Sequence, residues 1–584
     1  MRPGMRSIDT GDVRLALREQ GDPANPTVLL VHGYPDTHRV WDEVAGLLEP
    51  EFHVVRYDVR GAGESSAPAG IGGYRLDRLV DDLAAVLDAV GKSAVHLVGH
   101  DWGSVQGWAA AARLPGRLLS FTSLSGPGLA QWSEFLRTGG RREVAGQALR
   151  SWYITAFRMP VVPELAWRTF LPRLVALTRV AEGIEPREGD PAATLPADGA
   201  RGLALYRANT SARAAGPGQV DVPVQVIEAR RDRFISRPLV QALDRAAPQV
   251  WRRTIPAGHW AQRSHPATVA RMIAEFARYT GAGAAPSREL RRSRAGEAGG
   301  PFDRRLVVVT GAGDGIGRAT ARAFAAHGAE VVCADIDLAA ARDTVAGITA
   351  RGGTGHAERV DVSSAEEMER FAREVLDRYG TPDIVVNNAG LAVAGAFLDH
   401  EVADWRRLID VNLWGVVHGC RLFARQMADR GEGGHIVNVA SVAAFMPTRV
   451  LPAYSTTKAA VKMLSDCLRA ELAGQDIGVT AICPGFVSTG VARNATYRGV
   501  DRGLSERAVA ARGYPPERVA AHILRAVHRN LAVVPVNAEG RFGYALSRIS
   551  PGLTRRLARL GRPELLRRAG RPDRTDMGRP AAKD

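Results

Sequence analysis

The segment from Val95 to Trp108 constrains the first half of the chain more than any other feature. It reads VHLVGHDWGSVQGW, so an apolar strand runs directly into an aspartate flanked by glycines and then into a helix. A sharp strand-to-helix turn of this kind, a nucleophile elbow, holds a nucleophilic side chain clear of a sheet. The central residue here is Asp101, and a carboxylate can attack an epoxide or alkyl halide carbon to form an ester that water must then hydrolyse. An aspartate that only caps the following helix is the alternative.

The length and composition indicate a soluble chain of more than one domain. Its 584 residues exceed what one hydrophobic core supports, and its hydrophobic and charged shares of 45% and 24% are ordinary for globular proteins. The chain contains no apolar run of about 18 residues or more, and its first residues lack the apolar stretch of a secretion signal. All four cysteines lie in the second half without CxxC spacing. We therefore expect a cytoplasmic protein with no disulfides and no metal site.

The net charge of +15 is concentrated in two segments. Residues 541–584 hold twelve basic side chains against four acidic ones, and residues 281–305 hold six arginines against three acidic side chains. The remaining residues are close to neutral. Basicity confined to a linker and a tail argues against a nucleic-acid groove, so no nucleic-acid partner is expected.

Short apolar segments alternate with helical patterns on both sides of the elbow, which predicts a mainly parallel sheet. A helix is predicted at residues 77–90, and strands are predicted at residues 13–18 (an edge strand), 27–31, 54–57, 222–228, 251–255 and in the elbow itself. Between about residues 127 and 215 the pattern changes to helices rich in Trp, Arg and Leu without a convincing strand. This change predicts a helical cap inserted into the first domain.

Asp232 and His259, which lie further along the chain, complete a catalytic set with the elbow. Asp232 follows the strand at residues 222–228, and His259 stands on a glycine turn after the next strand. The order nucleophile, acid, histidine is the chain order of an α/β-hydrolase triad. Taken alone, His259 would be an ordinary surface histidine, but its position after the elbow and the acid favours catalysis.

Residues 1–280 resemble an α/β-hydrolase of the epoxide hydrolase group. The resemblance rests on the His-Gly-Tyr-Pro motif at residues 32–35, on Gly-His-Asp-Trp-Gly at residues 99–103, and on Asp232 and the Gly-His-Trp motif at residues 258–260. It implies that Asp101 opens the epoxide, that His259, oriented by Asp232, activates water, and that the Tyr34 and Trp102 amides form the oxyanion hole.

The same resemblance implies two cap tyrosines, Tyr153 and Tyr206, that hydrogen-bond the epoxide oxygen; packing within the cap is their alternative role. Haloalkane dehalogenases, the nearest alternative family, usually have Asn where Tyr34 stands. The acid loop around Asp232 is more basic than usual, which leaves Glu228 as a less favoured orienting acid.

Residues 281–302 have linker composition, with small and charged residues and little to bury. A strand then leads into a glycine-rich turn at residues 311–317 and a helix, an arrangement in which the backbone closes on a pyrophosphate. Asp335 ends the next strand, where its carboxylate accepts ribose hydroxyls and repels a 2′-phosphate. The acidic residue Asp314 supports the same preference, so we expect NAD as the cofactor, with NADP less favoured.

Residues 303–540 resemble a short-chain dehydrogenase/reductase of Rossmann, doubly wound fold. The further motifs are Asn388-Ala389-Gly390, Ser441, Tyr454 with Lys458 four residues later, and Pro484-Gly485. Tyr454 and Lys458 face the same way on a helix, and an ammonium there is expected to lower the phenol pKa. The resemblance implies Ser441, Tyr454, Lys458 and Asn412 as the catalytic residues. The implied cofactor-binding residues are Gly311, Asp314, Gly315, Ile316, Gly317, Asp335, Asp361, Val362, Asn388, Ala389, Gly390, Tyr454, Lys458, Pro484, Gly485 and Thr489.

The whole chain resembles fusions of an epoxide hydrolase with a short-chain dehydrogenase found in actinobacteria. This resemblance implies a bifunctional α/β enzyme that acts on small hydrophobic or lipid-derived substrates and forms homo-oligomers through its second domain. The competing hypothesis is that only one half is catalytic and the other is a scaffold or binding module. The tail at residues 541–584 interleaves leucines with arginines, which predicts weak peripheral contact with anionic membranes, although a solvated or packed tail is the alternative.

Overall fold

The computed structural model describes residues 5–209, 220–296, 299–490, 495–511 and 513–559. The chain divides into two compact units, one ending at Ala298 and one starting at Gly299. Each unit is an α/β domain with its own sheet.

The first unit is built on an eight-stranded sheet in the order β1-β2-β4-β3-β5-β6-β7-β8. β1 and β2 pair antiparallel, β2 joins β4 antiparallel, and the remaining pairs are parallel. The strands are β1 (Met5–Asp9), β2 (Arg14–Gln20), β3 (Thr27–Val31), β4 (His53–Tyr57), β5 (Val95–His100), β6 (Leu118–Leu124), β7 (Val224–Ala229) and β8 (Val250–Ile255). Strands β3, β4, β5 and β7 are buried along their whole length, as expected for parallel strands covered on both faces.

Helices cover both faces of this sheet. They are Asp42–Leu48, Leu76–Val90, Trp102–Arg113, Arg237–Ala242, Ala261–Ser264, Pro266–Ala282 and Arg288–Ser293. Helix Leu76–Val90 buries one apolar stripe that includes Leu79, Leu83 and Val86, because these residues recur at helical spacing. The apolar core therefore lies between the sheet and these helices.

The segment between β6 and β7 forms the predicted helical cap. Its described helices are Leu129–Thr138, Arg141–Arg150, Trp152–Phe157, Val162–Thr169, Leu171–Ala181 and Leu195–Asn209. Residues 210–219, the end of the predicted cap, lie outside the described residues.

Two expectations need correction in the first unit. The strand predicted at the sheet edge, now Arg14–Gln20, lies second from the edge because Met5–Asp9 pairs with it. Part of the predicted linker at residues 281–302 is folded, since helix Arg288–Ser293 buries Leu290 completely against Trp251. One leucine and a backbone hydrogen bond from Ala295 to Val250 hold this segment on the first unit despite its polar composition.

The second unit has a seven-stranded, all-parallel sheet in the order β11-β10-β9-β12-β14-β15-β17. The strands of the unit are β9 (Leu306–Thr310), β10 (Glu330–Asp335), β11 (Thr354–Arg359), β12 (Ile384–Asn387), β13 (Val393–Gly395), β14 (Gly434–Val439), β15 (Ile477–Cys483), β16 (Thr496–Arg498) and β17 (Val533–Pro535). The strand order reverses between β9 and β12, which is where doubly wound sheets bind ligands at the carboxyl ends of their strands.

The described helices of the second unit are Gly315–Ala326, Leu338–Thr349, Ala365–Tyr379, Val402–Ile409, Gly415–Arg430, Pro452–Glu471, Arg502–Ala511, Pro516–Arg529, Ala538–Ile549 and Pro551–Arg559. A π-helical turn, Asp410–Trp414, joins two of them. Helix Gly315–Ala326 begins at the glycine-rich turn, as the sequence predicts.

Most of the basic tail falls outside the structure. Residues 560–584 lie outside the described residues, so membrane contact through this segment stays a prediction. Across the described ranges, no helix combines the length and apolar character that crossing a membrane requires.

Candidate active sites

The elbow places Asp101 in a strained backbone conformation at the end of β5. Its φ of 51° and ψ of −121° lie outside the regions that L-residues normally populate, and such strain persists where a fold over-determines it. A Cβ on Gly99 would lie 2.3 Å from the Gly103 carbonyl oxygen, and one on Gly103 would lie 2.3 Å from the Val31 carbonyl oxygen. Glycine is therefore required on both sides of Asp101.

The three residues predicted as a triad come together in the structure. Nδ1 of His259 donates to Oδ2 of Asp232 at 3.0 Å, and Nε2 lies 3.7 Å from Oδ2 of Asp101. The Phe234 and Ile235 amides donate to the other Asp232 oxygen at 2.7 and 3.0 Å. Asp232 therefore fixes the imidazole so that Nε2 faces the Asp101 carboxylate.

Burial and charge shift the pKa values of this set. Burial raises the pKa of Asp101 to about 6, against the opposing effects of the His259 charge and of hydrogen bonds from the Tyr34 and Trp102 amides. Burial alone lowers the pKa of His259, but the Asp232 and Asp101 carboxylates outweigh it and raise that pKa to about 9. The two groups thus stabilise each other as an ion pair at neutral pH.

Two backbone amides converge on the same carboxylate. The Tyr34 N–H donates to Oδ1 of Asp101 at 2.8 Å, and a hydrogen bond from the Trp102 backbone also lowers the Asp101 pKa. These are the amides that the sequence assigns to an oxyanion hole. The Tyr34 hydroxyl donates to the Gly199 carbonyl of the cap at 2.8 Å, so this side chain ties the turn after β3 to the cap.

The cap brings Tyr153 and Tyr206 together above the elbow. Their ring centroids are 6.1 Å apart, and the Tyr206 ring lies 5.2 Å from that of Trp102. Burial raises both pKa values, and the Asp101 charge raises them further, so both phenols hold their protons at neutral pH. A hydrogen bond between the two tyrosines counters the shift at Tyr153.

Phe234 adds a further aromatic ring to this group. Its ring centroid lies 4.8 Å from that of His259 and 5.5 Å from that of Tyr153, so it lines the space between the base and the cap. Sequence analysis did not single it out, although its position two residues after Asp232 is a usable signal. Glu228, the less favoured orienting acid, pairs instead with Arg237 and Arg252 at 3.4 and 3.8 Å.

A buried ion-pair network behind the triad was also missed. Arg179 from the cap binds Asp36 in the turn after Tyr34 and lies 2.9 Å from Asp190. Its guanidinium stacks 5.2 Å from the ring centroid of Trp260, and the Trp260 indole donates to Asp36 at 2.9 Å. The network connects the cap to the neighbours of both Tyr34 and His259.

In the second unit, the glycine-rich turn forms a cradle of bare backbone. A Cβ on Gly317 would lie 2.0 Å from the Gly311 carbonyl oxygen, and Gly311 and Gly315 adopt φ values of +65° and +52°. Ile316 and Gly317 open the helix whose N-terminus attracts phosphate. The turn therefore fits a bound pyrophosphate, because side chains in place of these glycines would fill the space that the pyrophosphate needs.

Asp335 lies at the tip of β10 beside this turn. Its Oδ2 accepts the Gly313 N–H at 2.8 Å, and its Oδ1 accepts the Asp337 N–H at 3.0 Å. Asp314 is exposed at the start of the helix. The Asp335 carboxylate is therefore held where an adenosine ribose would lie if a pyrophosphate occupied the cradle.

The remaining predicted cofactor residues line the ends of neighbouring strands. Nδ2 of Asn388 donates to the Thr310 and Gly311 carbonyls at 3.0 and 3.1 Å, and the Ala389 amide donates to the Thr310 hydroxyl at 3.3 Å. The side chain of Asp361 is bonded to Ser363, beside the buried Val362.

Three further residues follow β15. The Pro484 carbonyl accepts the Ser441 hydroxyl at 3.4 Å, and Gly485 leaves room for the Asn537 side chain. A Cβ on Gly315 would lie 2.9 Å from Cβ of Thr489, which places Thr489 against the glycine-rich turn.

Ser441, Tyr454 and Lys458 form one cluster at this end of the sheet. A hydrogen bond links Ser441 to Tyr454, and Nζ of Lys458 donates to the Val439 carbonyl at 2.8 Å. Nζ lies 5.8 Å from the centroid of the Tyr454 ring. Asn412 lies in the π-helical turn; its Oδ1 accepts the Leu391 N–H at 2.8 Å, and its Nδ2 donates to the Leu391 carbonyl at 3.0 Å.

Gly390 separates Asn412 from Lys458. An added Cβ would lie 3.2 Å from Oδ1 of Asn412 and 3.4 Å from Nζ of Lys458. A π-helical turn inside helical structure often marks a functional site, and here it points the Asn412 side chain toward this gap.

One electrostatic expectation at this cluster is wrong. Burial raises the pKa of Tyr454, only partly opposed by the hydrogen bond with Ser441, whereas the sequence predicts a pKa lowered by Lys458. Burial also lowers the pKa of Lys458 to about 8. Desolvation is thus the largest influence on the pKa values of both groups. Within the described ranges, no group of three or more His, Cys, Asp or Glu side chains could hold a metal ion.

The comparison with known proteins covers nearly the whole chain. The chain is 42% identical over 583 residues to "Probable oxidoreductase EphD" of Mycobacterium tuberculosis, covering 95% of this chain and 98% of the relative. The chain belongs to the EphD family. Two family models each match one part of the chain. The model of the alpha/beta hydrolase fold matches residues 26–150, and the model of short chain dehydrogenases matches residues 305–498.

Relatives of single parts include 3beta-hydroxysteroid dehydrogenase 1 of Eggerthella lenta. It is 38% identical over 220 residues, covering 37% of this chain and 84% of the relative. A solved epoxide hydrolase from Bacillus megaterium, in complex with an inhibitor, is 23% identical, covers 46% of this chain and 99% of its own, and has a TM-score of 0.42. The EphD-family chain is thus an enzyme with an α/β-hydrolase domain followed by a short-chain dehydrogenase domain, and the second domain implies a nicotinamide nucleotide cofactor.

Proposed function

We propose that the first unit hydrolyses epoxides to diols through an ester on Asp101. The observation that carries the proposal is the convergence of the Asp101 carboxylate, two backbone amides, the His259–Asp232 pair and two protonated cap phenols. A hydrolase that uses serine would not need the phenols, whereas an epoxide oxygen needs a proton as its carbon is attacked.

The first step forms the ester. An Asp101 oxygen bonds to the epoxide carbon, the carbon–oxygen bond of the ring breaks, and Tyr153 or Tyr206 donates a proton to the departing oxygen. Since both tyrosines are protonated at neutral pH, they act as acids without prior titration. The product is an alcohol attached to Asp101 through an ester bond.

The second step hydrolyses the ester. Proton exchange with solvent first restores the tyrosine that donated its proton. Neutral His259 then takes a proton from water as the water oxygen attacks the Asp101 carbonyl carbon, and the Tyr34 and Trp102 amides stabilise the oxyanion that forms. When this intermediate collapses, the bond between the carbonyl carbon and the ester oxygen breaks, the departing diol oxygen takes the proton from His259, and the Asp101 carboxylate is restored. Ester formation removes the Asp101 charge, which is one cause of the raised His259 pKa. The imidazole therefore loses its proton more readily at the stage at which a base is needed.

A single turnover in water enriched in oxygen-18 tests this route. The ester mechanism transfers an unlabelled Asp101 oxygen to the diol and leaves the label on Asp101, so the first diol is unlabelled. Direct attack of water on the epoxide would place the label in the first diol and would contradict the proposal. A peptide map of residues 95–108 provides the matching readout on the protein.

We propose that the second unit is an NAD-dependent alcohol dehydrogenase or carbonyl reductase. NAD bound in the glycine cradle would accept or supply the hydride. Tyr454 exchanges a proton with the substrate oxygen, Ser441 hydrogen-bonds that oxygen, and Lys458 and Asn412 connect Tyr454 to the solvent side through the gap at Gly390. The relative of Eggerthella lenta acts on a steroid alcohol by its name, which supports a bulky apolar alcohol as the substrate class.

The preference for NAD rests on Asp335. Its carboxylate is fixed by the Gly313 and Asp337 amides, so a 2′-phosphate placed beside it would meet a negative charge. Titration of the full chain with NADH and NADPH should show NADH binding at least about tenfold tighter. In the Asp335→Ser variant this ratio should fall toward one, and an unchanged ratio would contradict the assignment. Homo-oligomerisation through this unit stays a prediction that sedimentation analysis would test.

A further inference from the structure

The outer surface of the cap exposes many large apolar side chains. Most described apolar side chains of this size are buried, yet this segment has a dense group with more than half of their surface in water. We call it the cap patch, and it consists of Leu149, Trp152, Val161, Val162, Leu165, Phe170, Leu174, Leu177 and Val180. Apolar surface of this extent on a soluble unit marks an interaction site.

The cap helices use opposite faces for the site and for the patch. Trp167 is buried with its ring 5.7 Å from that of Tyr34, and Arg179 is buried in its ion pairs with Asp36 and Asp190. Phe170, Leu174 and Leu177 recur at intervals of four and three residues and therefore lie on the other face. The helices are thus anchored by their inner face and apolar on their outer face, the reverse of a helix that faces water.

The turn that begins one of these helices is strained. Val161 adopts φ of 67° and ψ of −49°, with the Val162 N–H donating to the Pro160 carbonyl at 2.7 Å. This is a γ-turn of the rare kind, unfavourable for a β-branched residue. It holds Val161 outward with 71% of its surface exposed.

The same segment carries a net positive charge. Residues 141–181 contain seven arginines and two glutamates. Arg158, Arg168 and Arg173 are exposed between the patch residues, and Glu164 is paired with Arg207 at 2.5 Å. Apolar side chains interleaved with arginines complement an anionic lipid surface, where tails receive the apolar groups and headgroups receive the cations.

The patch adjoins the proposed epoxide site. Trp152 is 68% exposed and precedes Tyr153 in one helix, and the Phe157 ring at the other end of that helix lies 5.5 Å from that of Tyr153. A surface that contacted the patch would therefore lie one helix away from the cap tyrosines.

We propose that the cap patch docks on the surface of an anionic membrane without crossing it. Lipid-dissolved epoxides would then reach the cap directly; this consequence rests on the proposed function, whereas the docking itself does not. The anchor is the cap of the first unit, distinct from the basic tail predicted from sequence.

Flotation of the full chain with phosphatidylcholine vesicles, with and without phosphatidylglycerol, tests the docking. The wild type should bind the anionic vesicles, and Leu174→Ser/Leu177→Ser should weaken the partition coefficient about tenfold or more. Leu398→Ser/Val402→Ser is the control, because it removes two apolar side chains of the second unit that are at least as exposed as Leu174 and Leu177, and it should bind as the wild type does.

The charge contribution is tested separately. Arg168→Gln/Arg173→Gln should lower the partition on anionic vesicles by about fivefold for each arginine and should have little effect on neutral ones. Raising the salt concentration should reduce the wild-type partition on anionic vesicles for the same reason.

Several results would overturn the proposal. Equal flotation of the wild type and Leu174→Ser/Leu177→Ser would do so, as would a failure of the wild type to bind anionic vesicles. A truncation after Arg559 that abolishes binding would assign the anchor to the tail. Conversion of a dimer to a monomer by Leu174→Ser/Leu177→Ser, without vesicle binding by the wild type, would make the patch a protein interface.

A second measurement avoids dependence on that variant's folding. Vesicles of brominated lipid should quench part of the tryptophan fluorescence of the wild type. In the single variant Trp152→Phe, most of this quenching should be lost. Quenching that is the same in Trp152→Phe would contradict cap docking. None of these readouts needs turnover, so a failed single-turnover experiment with a water-soluble epoxide would affect only the proposed chemistry.

Discussion

The two candidate active sites differ in how much of the chemistry the chain supplies by itself. In the first unit, a nucleophile, a base, an orienting acid, two amides and two phenols meet within one enclosed site, and charge pairing raises the His259 pKa to about 9. In the second unit, burial disfavours the charged forms of both Tyr454 and Lys458, and much of the site is bare backbone. The first site should therefore need only substrate and water, whereas the second depends on the nucleotide that its cradle fits.

The sharpest way to separate the two sites is to remove the nucleophile. Asp101→Ala should reduce diol formation by about 10⁴-fold or more, because no other group in the site can form the ester. NAD-linked turnover by the same variant should stay within about twofold of the wild type. Diol formation is measured by chromatography and NADH by absorbance; diol formation above about 1% of the wild-type rate would refute the nucleophile assignment.

The converse change acts on the second site. Tyr454→Phe should lower NAD-linked turnover by about 10³-fold, since the proton donor is lost while the aromatic packing remains. NADH binding by fluorescence titration and epoxide turnover should both be unchanged. Loss of NADH binding would mean that Tyr454 holds the cofactor instead of moving the proton.

The pH dependence of the first step should reveal the raised Asp101 pKa. The nucleophile must be ionised, and with a pKa of about 6 its ionised fraction falls about tenfold between pH 7 and pH 5. Stopped-flow tryptophan fluorescence should show ester formation slowing over this range. A rate that stays flat down to pH 5 would indicate an ordinary carboxylate pKa and a more hydrated site.

Local motifs allowed much of both sites to be predicted from sequence. The elbow, the glycine cradle and the Tyr454–Lys458 spacing each lie within one strand-turn-helix or helix segment, so their geometry follows from neighbouring residues. The buried parallel strands were also predictable, because they are continuous apolar runs. Strand β6 was missed, since its serines and threonine interrupt the apolar pattern although they are buried.

Long-range features were not predictable in the same way. The Arg179–Asp36 ion pair joins residues far apart in the chain, and no local pattern identifies Arg179 among the other cap arginines. The pKa direction at Tyr454 depends on burial, which the spacing of Tyr454 and Lys458 does not reveal. Leu290 shows the same limit, because its burial against Trp251 and Phe276 is a tertiary contact that the charged sequence around it does not reveal.

The central claim is that Asp101 forms a covalent ester that His259 then helps to hydrolyse. Intact-protein mass spectrometry of His259→Gln after incubation with an epoxide tests it most directly. We expect the mass to rise by that of one epoxide, with the adduct mapped to Asp101 and absent from Asp101→Ala/His259→Gln. No adduct under conditions in which the wild type consumes the epoxide, or an adduct that persists without Asp101, would contradict the account.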